Sequence, residues 1–196
     1  MAAATEPIRD KEELKKLFEY YSMEEHKSER NHALICMGLH TALRIGDILN
    51  MKWNDVYDFQ HRTMRKHIEL SEDKTNKHRK VIINTTLRVS LRALFRKRKP
   101  AKDDYIFSSD KNPAAPISRI QAYRIITKAA KACLAHPEHV SCHSLRKTFG
   151  YHAWKQGVPL VVIMQIYNHS SFEITKKYLG INQDEQDEIF INIKYW

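Results

Sequence analysis

A mostly α-helical fold with one small antiparallel β-hairpin, an α+β domain, is predicted by three observations. Apolar residues recur at helical spacing in segment after segment. Only TMRKHIEL and HRKVIIN alternate with the two-residue period of strands. The hydrophobic content is 42% with 5 Gly and 6 Pro, a globular rather than a disordered composition. The 196 residues suffice for one domain with a real core and would make two cramped.

Residues 1–9 read as a flexible leader. Asp10 is the N-cap of a first helix, DKEELKKLFEYY, with Leu14, Leu17, Phe18 and Tyr21 on one face. MEEHKSER is a polar connection, and HALICMGLHTAL is apolar all round, the mark of a buried helix. DILNMKW continues as a short helix and WNDVYDF opens a loop. TMRKHIEL and HRKVIIN form the hairpin around SEDKTNK. TTLRVSLRALFRKRKP is an amphipathic helix with Thr85 or Thr86 as cap and Pro100 beyond its end. Its terminal RKRK suits the negative end of the helix dipole. DDYIFSSDKNPAAPIS is a within-domain loop around the apolar piece Tyr105–Phe107. Ser118 caps SRIQAYRIITKAAKACL, and Ser141 caps a helix from His143 to Gln156 that Gly157 ends. Pro159 opens LVVIMQIY, Asn168–Ser171 is a turn, and Phe172–Leu179 is a last turn or helix. Residues 182–196 form an acidic, then apolar tail helix with Ile189, Phe190 and Ile193 to bury.

Charge narrows the partner. A formal net charge of +10 favours an anionic polymer, compatible with DNA, RNA or an acidic membrane surface. No apolar run approaches the roughly 20 residues of a membrane span, and MAAATEPIRDKEEL lacks the apolar region of a signal peptide. Cys36, Cys133 and Cys142 are odd in number and have no metal-site spacing, so reduced thiols in a cytoplasmic protein are expected.

The chemistry concentrates between His143 and Tyr178. His143 and Arg146 stand one helical turn apart and share a face. A second histidine, His169, follows in a small-residue turn, and Tyr178 comes nine residues later beside Lys176 and Lys177. Guanidinium groups grip phosphate oxygens bidentately, imidazole exchanges protons near neutral pH, and a phenol can be a covalent nucleophile. Upstream, Arg44 lies between Leu43 and Ile45 directly after a buried helix, so it must be paired or face a cleft. It either pairs with Asp47 as structure, or clamps a phosphate with Asp47 supporting it. On SRIQAYRIITKAAKACL, Arg119 and Arg124 belong to a basic side that either enters a major groove or is simply solvated.

In order and spacing, His-x-x-Arg, a later His and Tyr nine residues on resemble the C-terminal signature of the tyrosine recombinase (phage integrase) family. TALRIGDILNMKW is similar to that family's first arginine motif, and DKTNKHRKVII to its hairpin lysine. The resemblance runs from about Leu14 to the last helix. Ala42 stands where the family usually has Gly, Asp47 where it commonly has Glu, and Asn168 where it usually has Gly.

The resemblance implies a catalytic domain with Arg44, Lys74, His143, Arg146, His169 and Tyr178 as its catalytic set and Asp47 in support. Lys77 competes with Lys74 for the hairpin role. Lys77, Arg119, Arg124 and Lys147 are the expected DNA-binding cations. The implied chemistry is site-specific recombination: Tyr178 attacks a phosphodiester, forms a 3′-phosphotyrosyl link and releases a 5′-hydroxyl. The two arginines hold the non-bridging oxygens, His143 serves the nucleophile, Lys74 protonates the leaving oxygen and His169 bonds the phosphate. No metal, ATP or other cofactor is expected, and neither a P-loop nor a carboxylate cluster for Mg²⁺ is visible. Double-stranded DNA is the expected partner, with a tetramer assembled on it from monomers. The tail helix either crosses to a neighbouring protomer or folds back. The core-binding domain that commonly precedes this unit is absent from the sequence, so residues 1–196 read as a single catalytic domain, either excised or belonging to a short recombinase. A type IB topoisomerase and a non-catalytic DNA-binding regulator of the same fold are the alternatives. A metal nuclease would need paired acidic residues that the motifs lack.

Overall fold

The computed structural model describes residues 5–71, 78–181 and 190–193. Its centre is helix α2 (Glu29–Thr41), which is apolar around its circumference, so that Ala33 to Gly38 are all buried. Ser28 caps it, accepting from Asn31 N. α1 (Lys11–Glu19) starts where Asp10 accepts from Glu13 N and packs on one side of α2. α5 (Thr85–Arg98), α6 (Arg119–Cys133) and α7 (Cys142–Lys155) complete the surround. Close approach of α7 requires a glycine: a Cβ on Gly38 would lie 2.6 Å from Leu145 Cδ1. α8 (Leu160–Tyr167) and α9 (Phe172–Leu179) fold against α7 and form a corner with their own small apolar cluster.

Between α2 and α5 the chain runs through α3 (Ile45–Asn50), α4 (Trp53–Val56) and two separate ladders. β1 (Tyr57–Asp58) pairs with β2 (Thr63–Met64), and β3 (His67–Ser71) pairs with β4 (His78–Ile82). Two expectations are corrected here. WNDVYDF is a helical turn followed by a strand rather than a loop, and TMRKHIEL is divided between two ladders rather than forming one strand. The cause is local: the Asp58 carboxylate accepts from Gln60 N and His61 N, closing a turn that gives Thr63 and Met64 a partner of their own. A third correction concerns α5, whose cap is Asn84, accepting from Leu87 N, not Thr85 or Thr86.

The loop between α5 and α6 is knitted into the core. Ile106 and Phe107 are buried, Ile106 N donates to Met51 O, and Ile117 N donates to Phe107 O. Ser118 and Ser141 cap α6 and α7 as their positions suggest.

The N-terminal segment departs most from expectation. Residues 5–9 are a strap across α7 and the end of α9, not a loose leader. Ile8 is 4% exposed, its N–H donates to Thr148 Oγ1 and its carbonyl meets His152 Nε2. Lys147 Nζ donates to Thr5 O, and Arg9 Nη2 to Gly180 O. At the other end Phe190 and Ile193 are 78% and 53% exposed, so neither is buried against this chain. Ile189 and most of the expected tail helix lie outside the described residues.

Candidate active site

Two helix ends and one buried arginine build the site. α2 ends at Ala42, which is fully buried yet left-handed at φ 53°, ψ 23°. α8 ends at Asn168, also left-handed at φ 55°, ψ 37°. Into the space between them α7 sends Arg146, 3% exposed. Its Nη1 donates to Ala42 O at 2.5 Å and its Nη2 to Tyr167 O at 3.3 Å. A guanidinium thus meets the carbonyl-rich ends of two helices, where a cation gains most from their dipoles. It also lies 4.7 Å from the centre of the Tyr167 ring, whose hydroxyl donates back to Arg146 O at 2.6 Å. Gly150 leaves room for this arrangement, because a Cβ there would strike the Tyr167 hydroxyl and Leu179.

The left-handed turn at Ala42 redirects the chain so that Arg44 becomes the N-cap of α3, half-buried, with Asp47 in the first turn beyond it. A cation at a helix N-terminus gains nothing from the dipole, so capping does not account for an arginine there. The turn at Asn168 does the same for His169, whose ring lies 5.1 Å from the Tyr178 ring and whose Nδ1 meets Thr175 Oγ1 at 3.1 Å. Tyr178, half-buried on α9, lies close enough to Arg146 for the guanidinium to favour its phenolate. Lys147 Nζ lies 5.2 Å from the centre of the Tyr178 ring. His143 is exposed in the first turn of α7, one turn before Arg146. Arg146, His169 and Tyr178 are therefore in mutual reach, with Arg44 close enough to act on all three electrostatically.

Burial and charge oppose each other here. Burial lowers the Arg146 pKa; the two phenols Tyr178 and Tyr167 oppose this, while Arg44 and Arg79 reinforce it as like charges. Burial, then Arg146 and Arg44, lower the pKa of His169, leaving a neutral imidazole at pH 7. The Tyr178 phenol is raised, because burial outweighs the charge and hydrogen bond of Arg146 and the charge of Arg44. The arginines therefore do not by themselves bring the phenolate within reach of neutral pH, and deprotonation needs a base. Tyr167, the neighbouring phenol, is fully buried and raised further, with its hydroxyl committed to Arg146 O. Position disqualifies it as a nucleophile.

The remaining candidates are spread along the same side. Arg119 opens α6, exposed, and its guanidinium sits over Gly46, where a Cβ would be 2.7 Å from Nη2. It thus stands, from another helix, beside Gly46, two residues along the chain from Arg44. Arg124 is exposed farther along α6. Lys147 is half-buried and engaged by Thr5 O and the Tyr178 ring, so it stands at the phenol rather than on an open face. Lys74 and Lys77 lie outside the described residues. Sequence reasoning missed Arg79, a half-buried cation on β4 that acts on Arg146 and Tyr167. Its signal was present: the alternation that half-buries Val81 and buries Ile83 also turns Arg79 inward. Among the described residues no cluster of three or more His, Cys, Asp or Glu could hold a metal ion, and no helix is long and apolar enough to cross a membrane.

Comparison with known proteins agrees with this geometry. Residues 9–185 match the model of the phage integrase family. The probable integrase/recombinase YoeC of Bacillus subtilis is 37% identical over 179 residues, covering 91% of this chain and 91% of YoeC. Tyrosine recombinase XerD of Rickettsia bellii is 30% identical over 176 residues, covering 85% of this chain but 57% of XerD. Among solved structures, XerA recombinase superposes with a TM-score of 0.75 at 24% identity, covering 97% of this chain and 66% of that one. XerH recombinase in a post-cleavage complex with its difH substrate gives 0.74 at 18% identity, over 98% of this chain and 54% of XerH.

Proposed function

Because this chain belongs to the phage integrase family, we propose that it performs site-specific DNA recombination through a covalent tyrosyl intermediate, with Tyr178 as nucleophile. The observation that carries the assignment of Tyr178 is its place beside His169, 5.1 Å between ring centres, and within reach of the charge of Arg146, whose buried guanidinium is held by carbonyls and keeps its positive charge for a phosphate. Tyr178 Oη attacks the scissile phosphorus as its proton leaves, the bond from phosphorus to the 5′-oxygen breaks, and that oxygen takes up a proton. His143, exposed one turn from Arg146, is the proposed acceptor of the phenol's proton. Arg44 and Arg146 neutralise the charge that grows on the non-bridging oxygens, and neutral His169 donates a hydrogen bond to one of them. Lys74 on the hairpin remains the proposed donor to the leaving oxygen, with Lys77 its rival. Arg119 extends the cationic surface from Arg44 along duplex DNA, with Arg124 farther along the same helix. Exposed Phe190, Ile191 and Ile193 support a tail that crosses to a neighbouring protomer in a tetramer on DNA.

The test is a selection. A pool of nicked duplexes with randomised sequence traps covalent complexes, because the short strand beyond the nick diffuses away. The unmutated chain should form an adduct stable to SDS, with an enriched sequence at the cleavage point. Tyr178→Phe should abolish the adduct and leave DNA retention in a filter assay intact. An adduct that persists in Tyr178→Phe would move the nucleophile elsewhere. Relaxation of supercoiled plasmid without any sequence enrichment would favour the topoisomerase alternative.

A further inference from the structure

The hairpin carries two kinds of cation. On its solvent face Lys80 pairs at 2.9 Å with Glu69, its partner across the ladder. On the opposite face stands Arg79, opposite Leu70 and two residues from Val81, and both of those side chains pack on the main core. A strand position in that phase ordinarily holds an apolar residue, since turning a guanidinium inward costs desolvation. The arginine is half-buried there, and its charge is felt by Arg146 and Tyr167 across the site. Arg44 at the start of α3 and Arg79 on β4 thus both act on Arg146 of α7 as like charges. Like charges acting on one buried guanidinium disfavour one another, and an anion bound beside them relieves that cost.

We infer that Arg79 is a third guanidinium on the scissile phosphate, holding a non-bridging oxygen beside Arg44 and Arg146. The inference rests on the recombinase reading above and deepens it. A phosphodiester carries one negative charge, whereas the pentavalent species formed by Tyr178 attack carries two on its non-bridging oxygens. A further cation at that point gains most from the second charge, so it stabilises the transition state more than bound DNA.

The experiment uses the nicked duplex enriched by the selection, made once with an ordinary scissile phosphate and once with a methylphosphonate there. Methyl in place of one non-bridging oxygen removes the ground-state charge and leaves a single charge in the pentavalent species. Arg79→Met keeps the aliphatic stem and its packing. It should slow adduct formation on the ordinary duplex by on the order of 10²-fold, and lower the slope of log affinity against log salt by about 0.9. On the methylphosphonate duplex it should react at nearly the unmutated rate. Arg79→Lys, which keeps the charge without the fork, should fall between the two. Equal slowing of Arg79→Met on both duplexes would mean that the arginine only supports the fold, and an unchanged rate on the ordinary duplex would remove it from the site. Either result overturns the inference while leaving the recombinase reading in place. Failure of the unmutated chain to form any adduct overturns the recombinase reading itself.

Discussion

The interior around α2 and the corner formed by α7, α8 and α9 are built on different principles. Around α2 the largest buried side chains are Leu34, Ile35, Met37, Leu43, Trp53 and Phe107, and stability there is bought with apolar area. The corner has a small apolar cluster of Ala42, Ile163, Tyr167 and Leu179, and beside it a buried arginine. Two of its backbone positions, Ala42 and Asn168, are left-handed, and Val161, Val162, Phe172 and Ile174 remain exposed on α8 and α9. A charge needed at full strength has to be kept from water, and holding it there uses carbonyl dipoles and strained backbone in place of hydrocarbon. The corner therefore depends on the α2 interior for its rigidity, not the reverse.

Paired substitutions break the comparison most sharply. Arg146→Met should slow adduct formation by about 10²–10³-fold and cost about 1–3 kcal/mol of folding stability, because the Ala42 and Tyr167 carbonyls lose their donor. Leu34→Ala, 1% exposed, should cost about 2–5 kcal/mol, yet the folded fraction should react at the unmutated rate. Urea unfolding beside adduct time courses measures both. Equal damage to the reaction by both variants would dissolve the distinction between the two regions.

Acid sharpens it. Burial lowers the pKa of His32, His40 and His169 from 6.5, and for His169 the two arginines add to the effect. Each is neutral when folded and binds a proton more readily when unfolded, so its contribution is complete above about pH 6.5 and is lost as pH falls below it. His32 meets Ser90 Oγ and His40 accepts from Asn84 Nδ2, both beside α2. The melting temperature should drop between pH 7 and 5. His169→Gln should retain most of that drop, since two of the three histidines belong to the α2 side. A flat profile in that variant would place the sensitivity in the corner instead.

The smallest effect is a gain. Ala42 holds a left-handed backbone with a Cβ, a conformation costing roughly 1–2 kcal/mol for a residue other than glycine. Ala42→Gly should raise stability by about 1 kcal/mol after the lost packing of one methyl group, seen as a higher urea midpoint with an unchanged slope. A loss instead would show that the buried methyl matters more than the strain.

What could be read in the sequence was local or ordered. Asp10, Ser118 and Ser141 identify helix starts because a cap binds a backbone N–H two or three residues away. Arg146, His169 and Tyr178 were found by their order and spacing, and they do converge. The partners of Arg146 were out of reach, because Ala42 and Tyr167 lie 104 and 21 residues away. The rise of the Tyr178 pKa was hidden for the same reason: charges are visible in a sequence, whereas the burial that outweighs them is a property of packing. The strap was misread because residues 5–9 have no period of their own and are held by side chains of α7 and by Gly180.

That strap has a consequence for how the protein comes into being. On the ribosome residues 5–9 emerge well before α7 and α9. Until Thr148 and Gly180 are outside the exit tunnel, Ile8 has nowhere to bury and Arg9 no carbonyl at the far end of the chain to reach. The stitch between Arg9 and Gly180, 171 residues apart, is thus among the last to be tied. A nascent chain stalled short of α9 would have a finished α2 interior and an open corner, competent to fold yet unable to cut DNA until α9 has emerged.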